Sequence, residues 1–167
     1  MIGRYRYAAA QSALPPHDHP DCYEVCFLAA GRQVYRVGGR DYALQGGDLF
    51  FTRPGEVHSS GGRPEERGTL YWIIVQRPAP QQPWLGLTAE AARSWESRWA
   101  RAPTRCFAPK TAPVEQWEQI LKIAAERAGP WRESRLRLAV SSLLIDVVES
   151  SAEPMLRRGG VRLEQVE

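Results

Sequence analysis

Apolar and polar residues alternate in short segments through the first half of the chain. The apolar run over residues 23–29 has strand length and is predicted to end at Gly31. Residues 34–37 and 42–44, joined through Gly38-Gly39, predict a hairpin whose side chains alternate between two faces. Gly46-Gly47-Asp48 turns the chain into Leu49-Phe50-Phe51-Thr52. Pro54-Gly55 and the glycine-rich stretch 59–68 predict loops, and residues 69–76 a strongly apolar strand. Pro15-Pro16 and Pro20 exclude a helix around the histidines between them. Short strands with glycine at nearly every turn imply a sandwich or barrel.

Past Pro83 the spacing of apolar residues lengthens to that of helices. Residues 88–100 predict a short helix capped by Thr88, with Trp95 and Trp99 at i, i+4 on one face. Thr111 and Pro113 signal the start of a second helix over residues 114–128, where Trp117, Ile120, Leu121 and Ala124 share a face. Gly129-Pro130 ends it and opens a third over residues 131–151. That helix carries Leu136, Val140, Leu143, Leu144 and Val147 on one face, with Leu138, Ile145 and Val148 towards another. So wide an apolar arc exceeds what packing on one neighbour requires. It predicts a helix that meets its own barrel on one side and a second copy on the other, with Leu136, Val140, Leu143, Leu144 and Val147 as the homodimer interface. Burial within one chain is the alternative. The resulting division is a β-barrel over residues 1–83, a helical dimerisation segment over 84–155 packed on it in the same domain, and a linker-like tail over 156–167.

Composition narrows the class. A chain of 167 residues suits one domain with a substantial core, and 43% hydrophobic with 25% charged residues is ordinary for a soluble globular protein. No apolar run reaches membrane-spanning length, and residues 1–6 lack a signal-peptide core. Cys22, Cys26 and Cys106 make no disulfide scaffold, so a reducing cytoplasm is expected. The net charge of +3 is mild and its arginines are scattered, which makes no case for DNA binding by charge.

The chemistry gathers around three histidines. On extended chain, His17 and His19 point the same way. A turn at Pro20-Asp21 brings Glu24 in beside them, and the turn at Pro54-Gly55 supplies His58. Three neutral imidazoles and a carboxylate suit a divalent transition metal and leave positions open for water or ligand. Zinc is the commonest occupant of such a site; iron, manganese and nickel also accept it. The alternative is that the histidines only form hydrogen bonds inside the barrel. Cys22 and Cys26 alternate onto the strand face of Glu24, either as thiols near the metal or as small buried hydrophobes. Tyr35, Tyr42, Phe51 and Trp72 are candidate walls of an effector pocket, or simply core. Arg53 is either an anion contact or a solvated side chain.

These residues resemble the two cupin motifs, His-x-His-x4-Glu-x6-Gly at residues 17–31 and Gly-Asp followed by Gly-x-x-His at residues 47–58. Gln11, Arg53 and Gly62 depart from the usual pattern, and they affect turns more than ligands. The order Gly31, Tyr35, Val37-Gly38-Gly39, Tyr42, Leu44, Gly47-Asp48-Leu49-Phe50-Phe51, then Pro54-Gly55-Glu56-Val57-His58-Ser59, the strand after Leu70 and the closing helices is similar to the sensing domain of AraC-type regulators over roughly residues 5–155. The resemblance implies a mainly β fold, a cupin or jelly-roll barrel followed by an antiparallel helix pair. It implies metal ligands at His17, His19, Glu24 and His58, a small-molecule effector in the barrel and dimerisation through the helices. DNA contact is expected only through a separate helix-turn-helix half not in this chain.

A stand-alone metal-dependent cupin enzyme, a dioxygenase or isomerase, is the competing class. The helix pair, and the lack of an evident second acid or base near the ligands, favour the sensor. The complete ligand set favours the enzyme.

Overall fold

The structure, a computed structural model, describes residues 1–110 and 113–152. Its strands are β1 (Ile2–Tyr7), β2 (Gln11–Ala13), β3 (Cys22–Val37), β4 (Arg40–Gln45), β5 (Asp48–Thr52), β6 (His58–Ser59), β7 (Pro64–Glu65), β8 (Gly68–Gln76) and β9 (Cys106–Phe107). Its helices are α1 (Ala89–Ala100), α2 (Val114–Ala125) and α3 (Arg132–Ala152). Every strand pairing is antiparallel. The main sheet runs β1-β8-β3-β5-β9, with β4 and β6 also pairing β3, and β2 pairs β7 separately. This is the mainly β jelly-roll architecture with closing helices that the resemblance implied.

One strand organises the barrel. The first part of β3 pairs with β5 and β8, and the part from Arg32 pairs with β4 and β6. The strand end expected at Gly31 is therefore a bend within a single 16-residue strand. The register against β8 slips between Leu28 and Ala30, and Gly31 adopts a φ of +102°. A Cβ on Gly31 would sit 2.4 Å from the carbonyl oxygen of Arg67, so the two backbones approach there as only glycine allows.

The sheet buries both faces, which explains why all of β5 is buried. Leu49, Phe51, Tyr71, Ile73 and Val75 face the helices, joining Trp95, Trp99, Trp117, Leu143 and Leu144 in one core. Phe50, Leu28, Leu70, Cys26 and Tyr35 form a second core inside the barrel. Thr88 caps α1 as expected, its side chain accepting from the Ala91 amide. The Trp95 indole donates to the Leu144 carbonyl at 2.9 Å and ties α1 to α3. The chain after α1 also returns to the sheet, where β9 pairs with β5 and adds a strand within a segment read as helical.

The reading of α3 needs correction. Val140, Leu143, Leu144 and Val147 are buried within one chain, and Leu136 is partly buried against the same core. The helix packs against both α1 and α2, so its wide apolar arc has neighbours without a second copy. Leu138, 63% exposed, is a large apolar side chain that it leaves to solvent, and Trp131, just before its first turn, is 72% exposed. Thr111 and the expected tail over residues 156–167 lie outside the described residues.

Candidate metal centre and barrel cavity

The three histidines and Glu24 reach one point from separate places in the chain. The segment before β3 is held against β6 by reciprocal backbone bonds, the His17 amide to the His58 carbonyl at 3.1 Å and the His58 amide to the His17 carbonyl at 2.9 Å. The His19 carbonyl accepts from the amides of Cys22 and Gly55, which anchors the turn after Pro20. Glu24 projects from β3. One ligand atom from each of His17, His19, Glu24 and His58 lies within 4.8 Å of all the others.

The imidazoles are oriented for coordination. His17 Nδ1 lies 2.9 Å from the Pro15 carbonyl and His58 Nδ1 3.0 Å from the Glu56 carbonyl. A carbonyl only accepts, so each Nδ1 carries the proton and each Nε2 keeps its lone pair for the site. His58 Nε2 stands 2.8 Å from Glu24 Oε2, yet this buried nitrogen has no hydrogen bond of acceptable geometry. His19 Nε2 is 3.7 Å from the same oxygen. Burial alone would lower the pKa of both imidazoles. It prevails at His19, whereas at His58 the Glu24 carboxylate and the Glu56 carbonyl outweigh it and the pKa rises. Three imidazoles and a carboxylate that converge, with the outer nitrogens of His17 and His58 tied back and the inner nitrogen of His58 buried and unmatched, fit a divalent transition metal.

A cavity of about 190 Å³ opens beside these four residues. Its lining includes His17, His19 and Glu24, the predicted wall residues Tyr35 and Trp72, and also Tyr5, Tyr7, Cys26 and Glu65. Phe51 and Tyr42 do not line it. Strand alternation turns Phe51 to the other face of β5, where its ring lies 4.5 Å from that of Trp99. Tyr42 sits with Arg40 and Arg105 over its ring and lines a separate polar cleft. The Trp72 indole lies over Gly3 on β1, where a Cβ would approach it to 2.6 Å.

Cys26 is buried beside Glu24, its Sγ 3.8 Å from Oε1. Burial, then the Glu24 charge, push its pKa well up, so it stays a thiol. Cys22 is half-buried and not part of the lining. Arg53, partly exposed, is not aimed at the cavity: its guanidinium reaches the carbonyls of Trp99, Ala100 and Ala102 at the end of α1. Nor does the candidate site lack a second acid nearby. Glu65, on β7, lines the same cavity and accepts from the Tyr7 hydroxyl at 3.2 Å. Burial raises its pKa against the pull of that bond.

A family model described as an AraC-like ligand binding domain matches residues 2–109. Among curated proteins none matches the chain at a significant level. Similar solved structures include a predicted oxalate decarboxylase from Thermotoga maritima, with 23% identity over 45% of this chain and 63% of that one, TM-score 0.37. An RmlC-like cupin from Shewanella frigidimarina has 22% identity over 44% and 63% of the two chains, TM-score 0.38. The DMSP lyase DddQ from Ruegeria pomeroyi has 22% identity over 45% and 36%, TM-score 0.35. The match thus spans less than two thirds of each of those chains.

Proposed function

The chain belongs to the AraC-like ligand binding domain family, and on that premise we propose that it is the effector-sensing and dimerisation unit of a cytoplasmic transcription regulator. The supporting observation is the aromatic cavity of about 190 Å³ with His17, His19 and Glu24 in its lining and His58 converging on them from behind. His17, His19, Glu24 and His58 would hold the metal, which when bound supplies Lewis-acid attraction for an oxygen or nitrogen of the effector. Tyr35 and Trp72 shape the space beside it. Glu65 accepts a hydrogen bond from whatever donor the effector presents there.

In this reading the protein pairs with a second copy through the outer surface of α3, where Leu138 stands exposed with Trp131 just ahead of the helix. DNA contact falls to a helix-turn-helix unit separate from the barrel. No described helix is long and apolar enough to cross a membrane.

One observation favours a metal-dependent enzyme instead. Glu65 and Tyr7 give the cavity a carboxyl group and a hydroxyl besides the metal ligands, as acid–base chemistry requires. The two readings part on the fate of the ligand. Small molecules that raise the melting temperature of the protein are to be incubated with it and recovered for mass spectrometry. A sensor returns them unchanged, and conversion to product would establish the enzyme.

A further inference from the structure

Among the residues lining the barrel cavity are two carboxylates, Glu24 and Glu65, and no lysine or arginine. A metal held by the histidines would balance Glu24. Glu65 stays uncompensated, with the Tyr7 hydroxyl as its hydrogen-bond partner among the described residues. A half-buried carboxylate without a cation is costly unless a ligand supplies one.

The wall adjoining Glu65 is aromatic. Tyr5 and Tyr7 share one face of β1, and Trp72 reaches the same wall from β8 because Gly3 leaves room for its indole. The Tyr5 ring lies 5.5 Å from that of Tyr7 at 18° and 6.0 Å from that of Trp72 at 28°, so the three form a nearly parallel platform. The buried Nε1 of Trp72 has no hydrogen-bond partner among the described residues. At about 190 Å³ the space is smaller than the ~300–1,000 Å³ pockets of drug-sized ligands, which limits the occupant to one ring or a short chain.

We propose that the cavity selects a small organic cation, an aryl-alkyl ammonium, with its ring on the Tyr5–Trp72 platform and its ammonium group at Glu65. The inference rests on the sensing reading of the same cavity and gives that reading a ligand class. Tyrosine and tryptophan faces attract cations, and an adjacent carboxylate adds a charge-assisted hydrogen bond. An anionic ligand would meet Glu65 with the wrong sign and would have to put its charge on the metal.

The test is calorimetric titration of the full chain with phenethylammonium, the neutral 2-phenylethanol and the anionic 3-phenylpropionate, with metal content measured on the same samples. The ammonium is expected to bind at least roughly tenfold more tightly than the alcohol. Glu65→Gln should cost the ammonium roughly ten- to hundredfold and the alcohol far less, since the amide oxygen still accepts from a hydroxyl, while leaving the metal content unchanged. Tyr5→Ala, at the exposed mouth, should weaken the ammonium and the alcohol together. No ammonium binding, equal binding of the three probes, or unchanged ammonium affinity in Glu65→Gln overturns the proposal. Selective ammonium binding by metal-free wild type would support it while removing the metal from the sensing reading. Full metal occupancy without that selectivity would do the reverse.

Discussion

Glu24 Oε2 stands 2.8 Å from His58 Nε2, although one residue lies on β3 and the other on β6, while the far side of the His58 ring is tied to the Glu56 carbonyl. Backbone pairing between His17 and His58 brings the second imidazole to the same place. The arrangement makes metal affinity a proton competition, because each imidazole must be neutral to coordinate. Zinc affinity is therefore expected to fall roughly a hundredfold or more between pH 7.5 and 5.5. Competition titration against a chromophoric chelator measures it. A flat profile would remove the histidines from the ligand set.

Leu143 and Leu138 stand on the same helix in opposite situations, one fully buried and one 63% exposed. Leu143→Glu should unfold the protein or lower its stability by about 3–5 kcal/mol, the cost of a buried unpaired charge. Leu138→Glu should change monomer stability by less than about 0.5 kcal/mol and weaken self-association. Thermal melts and sedimentation of both variants decide. A stable, merely dissociated Leu143→Glu protein would restore the interface read from the sequence.

Glu56 accepts two bonds from Arg105, at 2.6 and 2.9 Å, in a largely buried pair. Burial pushes its pKa up, but the Arg105 bonds and the Arg53 amide prevail and hold it below the ordinary 4.5. A carboxylate depressed in the folded state contributes stability above its unfolded value, and loses it as the pH falls through the folded value. Stability of chelator-treated protein should thus drop below about pH 4.5 more steeply in wild type than in Glu56→Gln. Denaturant midpoints across that range measure the difference, and parallel curves would mean that the pair adds nothing.

Gly31→Ala should destabilise the protein by about 2–4 kcal/mol, since it adds a Cβ at positive φ against the Arg67 carbonyl. An unchanged melting temperature would show that β3 does not bend there.

Some of this was legible in the residues and some was not. His17, His19, Glu24 and His58 stood out because histidines and a carboxylate fall at fixed spacings beside turn residues, and the structure brings the four together. The strand end expected at Gly31 failed because a glycine that stops one strand and a glycine that bends one look alike until a partner backbone, here Arg67–Gly68, is known. Tyr5 and Tyr7 were missed although Arg4-Tyr5-Arg6-Tyr7 alternates strictly, a strand signal masked by its short length and exposed arginines. Glu65 was missed because a two-residue strand in a glycine-rich stretch has no period to read. Adjacent Phe50 and Phe51 show a further limit: only the register of β5 decides which one faces the barrel interior. The arc of α3 was read correctly as wide, but not the packing of α1 and α2 that covers it.

The most direct test of the account is elemental analysis of the full chain purified without chelator, alongside His17→Ala and His58→Ala. The account predicts close to one divalent transition metal per wild-type chain and its loss from both variants, with the melting temperature of wild type falling when the metal is removed. Wild type without metal, or variants that retain it, would contradict a metal centre at His17, His19, Glu24 and His58.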